Sequence, residues 1–196
     1  VLNVHMLIAY EELDVTMRPP LLMPILEGIL GPDICAEEHS VRIRRGYAGE
    51  PYCNWHRDGN GWPHLHAQEP FFTHYVSVAF YLTDVDETTH TFSVIPKSGQ
   101  CVDFPDLTDY DLDKADHIES KKGAAVVFNA GMYHGGNVRC SAKERRTIHI
   151  YCGRASNPPI SNYTIFPSRL WDSNNPSERR YYGRPNALTK LLQDTF

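Results

Sequence analysis

Tyr75-Val76-Ser77-Val78-Ala79-Phe80-Tyr81-Leu82-Thr83 is dense in β-branched and aromatic residues, and Asp84 closes it with a turn-forming side chain. The stretch predicts a strand, and weaker copies of the same signal recur around it. Thr91 to Ile95 stops at Pro96, Ala124 to Phe128 follows the turn Lys122-Gly123, and Thr147 to Cys152 follows the charged run Lys143 to Arg146. Upstream, Val41 to Tyr47 alternates apolar and basic residues as an exposed strand does. Several short strands separated by turn signals predict a mainly β chain, an antiparallel sandwich or jelly roll with flanking helices.

The helices belong at the ends. Leu21 to Leu30 is preceded by Pro19-Pro20 and followed by Gly31-Pro32, the asymmetry expected of a helix start and stop. Ala187 to Gln193 predicts a last short helix after Pro185. Two segments, Gly59 to Pro70 and the aspartate-rich Val102 to Ser120, read as long loops of the kind that cover binding sites. With no repeat and no low-complexity linker, residues 1–196 read as one domain.

Composition narrows the function classes. A net charge of -5 with only short basic runs (Arg42, Arg44 and Arg45; Lys143, Arg145 and Arg146; Arg179 and Arg180) predicts no nucleic-acid partner. The first and third runs read as solvated faces. Pro24 and Glu27 interrupt the most apolar segment, so no membrane span is expected. Five cysteines without a CxxC pair suggest free thiols in a reducing compartment, which points to a cytoplasmic location, although the sequence opens on Val1. The oligomeric state is left open.

Chemistry concentrates in Asn54-Trp55-His56-Arg57-Asp58. Residues two apart on extended chain point to the same side, so His56 and Asp58 can reach one ion, while Arg57 points away. A third donor, His134, comes from Gly131-Met132-Tyr133-His134-Gly135-Gly136, just beyond the Ala124 to Phe128 strand. Two histidines and one carboxylate form the facial triad of non-haem Fe(II) sites and leave positions for a cosubstrate and O2. The arginines that follow suit an anion, because a guanidinium fork binds a carboxylate bidentately and keeps its charge. Arg145 shares a strand face with Thr147, His149 and Tyr151, whereas Arg146 shares one with Ile148 and Ile150. The polar face selects Arg145 for a pocket, and a bulge would exchange the two roles.

Taken together, Trp55-His56-Arg57-Asp58-Gly59, Tyr81-Leu82-Thr83-Asp84, Val94-Ile95-Pro96-Lys97-Ser98 and His134-Gly135-Gly136-Asn137 with Arg145 resemble the phytanoyl-CoA dioxygenase family, and the ectoine hydroxylases within that likeness. The resemblance runs from about Ser40 to Gly153. It implies Fe(II)- and 2-oxoglutarate-dependent oxygenase chemistry on a double-stranded β-helix. His56, Asp58 and His134 would be the iron ligands and catalytic centre, and Arg145 would hold the C5 carboxylate of the 2-oxoglutarate cosubstrate. It further implies Ser77 beside the cosubstrate and Trp62 at the mouth of the substrate site. Two departures concern the entrance. Pro96-Lys97-Ser98-Gly99 stands where the family commonly reads Pro-Gly-Ser-His, and the loop after His134 is short. Asp58 argues against halogenation, since halogenating relatives carry a small residue there.

The expected reaction is hydroxylation of an unactivated C–H bond of a small-molecule substrate, with desaturation or ring closure open. The alternative is a non-catalytic jelly-roll metal-binding module. The short chain and its aspartates suit a small or partly cationic substrate better than a long acyl-CoA. Among other polar residues, His64-x-His66 reads as loop, and His149 as packing beside the cosubstrate. His74 reads as structural, and Asn54, Asn129 and Tyr133 as donors that could orient imidazoles. Arg44 and Tyr47 could point into the pocket or out to solvent.

Overall fold

The computed structural model describes residues 1–58, 73–99, 105–161, 163–183 and 185–195. Among them, strands dominate. β1 (Leu2–Asn3) precedes two short helices, α1 (Met6–Ala9) and α2 (Met23–Leu30), which lead into the long β2 (Ile34–Arg44). Then come β3 (Tyr52–Cys53), β4 (Tyr75–Tyr81), β5 (Thr91–Val94), β6 (Asp116–Ile118), β7 (Ala125–Asn129), β8 (His134–Val138) and β9 (Arg145–Arg154). The helices α3 (Ser168–Trp171), α4 (Pro176–Tyr182) and α5 (Ala187–Leu192) follow.

All pairings are antiparallel and fall into two sheets, β1-β2-β9-β4-β7 and β3-β8-β5-β6. Alternation along β4 explains how they pack. Ala79 and Tyr81 meet Phe92 and Val94 of the smaller sheet, together with Phe128. Val76 and Val78 point the other way, joining Ile148, Ile150 and Cys152 against Leu26 and Leu30 of α2 and Tyr181 and Tyr182 of α4. The larger sheet is thus buried on both faces, which is why its middle strands are so apolar. On α2, Leu26 and Leu30 lie four apart on one face. The helix ends at Gly31, whose φ of 88° is comfortable for glycine. No helix of the described residues is long and apolar enough to cross a membrane.

Several boundaries differ from expectation. β2 begins at Ile34, seven residues before the predicted Val41, and its register shifts between Ala36 and Glu38. This bulge breaks the alternation: Ile34 and Ala36 face the helices before it, and the partner of Glu38 after it is the cavity-facing Tyr151. Residues 105–120, expected as loop, hold two short 3-10 turns, Leu107–Asp109 and Leu112–Lys114, and the strand β6. His134 does not merely follow a strand; it opens β8.

Candidate metal centre

The two histidines sit opposite one another in the backbone. His56 N–H donates to the His134 carbonyl and His134 N–H to that of His56, both at 2.9 Å, forming an antiparallel bridge. Their imidazole centroids lie 4.4 Å apart. Asp58 N–H donates to the Ala130 carbonyl at 3.0 Å, so the third donor is anchored to the turn before β8. Ser98 fastens that turn. Its hydroxyl donates to the Ile95 carbonyl and accepts from Tyr133 N–H at 2.8 Å, while Ile95 N–H donates to the Tyr133 carbonyl.

One ligand atom from each of His56, Asp58 and His134 lies within 4.8 Å of the others. The donor set fits a divalent ion. His56 Nδ1 lies 2.8 Å from the Asn54 carbonyl and His134 Nδ1 2.8 Å from the Met132 carbonyl, which makes both Nδ1 atoms the protonated ones. Both Nε2 atoms are left with lone pairs facing the Asp58 carboxylate, at 3.6 and 3.5 Å. Asp58 Oδ2 is buried without a hydrogen-bond donor. Burial holds the His134 imidazole down to about 4, partly opposed by Asp58, so it is neutral and able to ligate at pH 7. Phe92 and Phe128 pack on the same ring and keep water from it.

Arg145 is buried on the expected face. Its register partner is Arg44, and Gly136 leaves space beside the guanidinium: an added Cβ there would lie 3.7 Å from Nη2. Nη1 is buried with no hydrogen-bond partner, and burial lowers the group to about 10. Arg145 lines a cavity of about 270 Å³ with Arg42, Arg44, His56, His134 and His149, and its described lining contains no carboxylate. Arg146 points outward and donates to Glu144 at 2.6 Å. The basic run at Arg42 and Arg44 is therefore not simply a solvated face: both side chains line this cavity. Alternation puts Arg42 and Arg44 on one face but does not tell solvent from a polar cavity; the register decides it, with Arg44 opposite Arg145.

The remaining candidates divide. Ser77 is fully buried, its hydroxyl donates to the Ile150 carbonyl, and it stands opposite Tyr151 in register without lining this cavity. Trp62, His64 and His66 lie outside the described residues. His149 lines the cavity, with Nε2 near Thr147 Oγ1 and Nδ1 unpartnered. Asn129 accepts from Gly131 N–H and Thr73, supporting the turn rather than an imidazole. Carbonyls of Asn54 and Met132 do the orienting instead, and backbone groups carry no residue-type signal. Tyr47 bridges to Ser141. Arg57 turns away from the trio but is 4% exposed. It donates to the Gly131 and Pro105 carbonyls and to the Tyr110 hydroxyl, and lies over the Tyr133 ring at 4.2 Å. At the two departures, Lys97 has a φ of 65°, a conformation glycine adopts freely. At Gly99 a Cβ would lie 2.9 Å from Asn129 Nδ2 and 3.1 Å from Met132 Cβ, so a side chain there requires the Asn129 amide to shift.

Comparison with known proteins bears on the fold and the family. Solved structures that share the fold include the following three. A non-heme monooxygenase solved as the ThoJ-Ni complex is 21% identical, with a TM-score of 0.55, covering 72% of this chain and 53% of that one. EctD from S. alaskensis, solved with 2-oxoglutarate and 5-hydroxyectoine, is 20% identical, with a TM-score of 0.54, covering 80% and 58%. AviO1 from Streptomyces viridochromogenes Tue57 is 18% identical, with a TM-score of 0.53, covering 71% and 60%. The chain thus spans little more than half the length of these structures. No curated protein sequence matches it. The model of the family phytanoyl-CoA dioxygenase (PhyH) matches residues 7–147, which is well over half of the chain, and the protein therefore belongs to the phytanoyl-CoA dioxygenase family.

Proposed function

We propose that this chain is an Fe(II)- and 2-oxoglutarate-dependent dioxygenase on a double-stranded β-helix, hydroxylating an unactivated C–H bond of a small metabolite. The two antiparallel sheets support the architecture. The observation that carries the chemistry is the trio itself: two Nε2 lone pairs and a carboxylate on one side, with both Nδ1 atoms already engaged. His56, Asp58 and His134 would hold iron. When bound, iron supplies the redox chemistry that divides O2, one oxygen atom going to the succinate formed from 2-oxoglutarate with loss of CO2 and the other to the substrate carbon.

The chain's own residues bind, orient and exclude water. Arg145, with an unpartnered Nη1 in a cavity lined by Arg42 and Arg44, holds the distal carboxylate of 2-oxoglutarate. Phe92 and Phe128 shield the His134 side of the centre. A buried guanidinium with an unpartnered Nη1 beside a cavity is costly unless an anion binds there, which supports an anionic cosubstrate over a module that binds metal alone. Anaerobic titration with Fe(II) and 2-oxoglutarate tests the proposal. It should produce the weak visible charge-transfer band of a chelated keto acid, and absence of both the band and iron binding would remove it.

A further inference from the structure

A second cavity, of about 280 Å³, opens on Asp58 and is walled by Glu38, Tyr75, Tyr151, Ile160, Ser161 and Tyr163 among others. The bulge in β2 builds its charged wall. Glu37 is buried, and its Oε2 accepts from Ile160 N–H at 3.0 Å, fixing the 158–161 segment as one side. Glu38 pairs in register with the buried, cavity-lining Tyr151. Its carboxylate is poorly supplied with donors: Ser161 is its hydrogen-bonding neighbour, and Arg42 Nη2 stays at 4.0 Å. Arg42 does not neutralise it closely, because its Nε donates to Ser40 and its guanidinium also lines the cavity of Arg44 and Arg145. Burial is the main cause that pushes the Glu38 carboxyl up, against the opposing pull of Ser161 and Arg42.

We propose that this cavity is the substrate site and that it takes a small molecule carrying a protonated amine or guanidinium group, held by Glu38 among Tyr75, Tyr151 and Tyr163. A cation satisfies the carboxylate, and tyrosine rings attract cations through their negative faces. The volume suits a compact metabolite, being close to the small end of ligand pockets (roughly 300–1,000 Å³). Asp58, shared by this cavity and the metal trio, sets the bond to be oxidised next to the centre. This identification of the substrate class rests on the oxygenase reading for its chemistry, though not for its binding.

Isothermal titration of the chain with agmatine, cadaverine, pentan-1-ol and pentanoate tests it. The two cations should bind at least about tenfold more tightly than the alcohol and the acid, a factor worth about 1.4 kcal/mol. In Glu38→Gln, cation affinity should fall at least about tenfold, while binding of pentan-1-ol stays as it was. Equal or tighter binding of the alcohol or the acid, no binding of either cation, or unchanged cation affinity in E38Q would each overturn the proposal. The comparison among probes needs only the unaltered chain and decides the matter even if E38Q does not fold. The anaerobic iron titration reports separately. Loss of the iron and 2-oxoglutarate signal with cation binding intact would remove the oxygenase and leave the cation site.

Discussion

Arg145→Met should raise the stability of the ligand-free chain and abolish its response to 2-oxoglutarate. Arg145 is 8% exposed and its Nη1 has no partner, so folding strips the charge of water without returning a counter-ion. At about 10 its pKa still leaves it charged at neutral pH. Replacing a buried charge by an apolar side chain of similar length is often neutral or stabilising by about 1–4 kcal/mol. For a chain of this size, each kcal/mol moves Tm by about 2–4 °C, so a rise of several degrees is expected. Losing the charged partner of a buried carboxylate should cost about 2–5 kcal/mol of cosubstrate affinity, a factor of tens to thousands. Arg146→Ala is the control: its side chain is 58% exposed and paired with Glu144, a contact worth about 0–1 kcal/mol. Thermal unfolding of the three proteins with and without Fe(II) and 2-oxoglutarate under nitrogen reads both effects. A larger cosubstrate defect in Arg146→Ala, or an Arg145→Met chain that keeps its ligand-induced Tm shift, would refute the reasoning.

Asp58→Ala should abolish iron binding, measured by metal analysis after desalting. Arg57→Ala should retain iron but lose roughly 2 kcal/mol of stability in urea, because the buried Gly131 carbonyl and the part-buried Pro105 carbonyl lose their charged donor. Lys97→Gly should stabilise by about 1 kcal/mol, seen as a higher urea midpoint at unchanged m, since φ is 65°. His39 is held down to about 4 by burial, so it stays neutral in the fold while the unfolded chain takes up its proton near 6.5. Its contribution is therefore complete above about pH 6.5 and drains away as pH falls toward 4, on the order of 3 kcal/mol in all. The His39→Gln chain should lose less stability than the parent over that window, and parallel pH profiles would contradict this.

The trio was legible from sequence because the chemistry needs particular residue types at a particular spacing, and extended chain brings residues two apart to one side. Arg145 was legible for the same reason: alternation separates it from Arg146. β8 was not. His134-Gly135-Gly136-Asn137-Val138 contains two glycines and an asparagine, poor strand formers by local preference. Close approach requires the first of them: a Cβ on Gly135 would lie 2.6 Å from the Asn54 carbonyl oxygen. β6 was hidden because it is an edge strand, where Asp116 and His117 keep contact with water. The inward face of β2 was hidden because alternation from Val41 onward separates the arginines from Val41 and Ile43 but does not tell a polar cavity from solvent.

Arg42 lines both cavities, the one containing Arg145 and the one containing Glu38. A single guanidinium serving as a common wall makes occupancy of the two chambers interdependent. A ligand that draws its charge toward one chamber leaves the other more negative. By linkage, each ligand must then change the affinity of the other by the same factor. On the proposed reading, an anion beside Arg145 draws Arg42 from Glu38 and prepares that carboxylate for a cation, so this one side chain makes the two ligands favour each other equally, whichever arrives first.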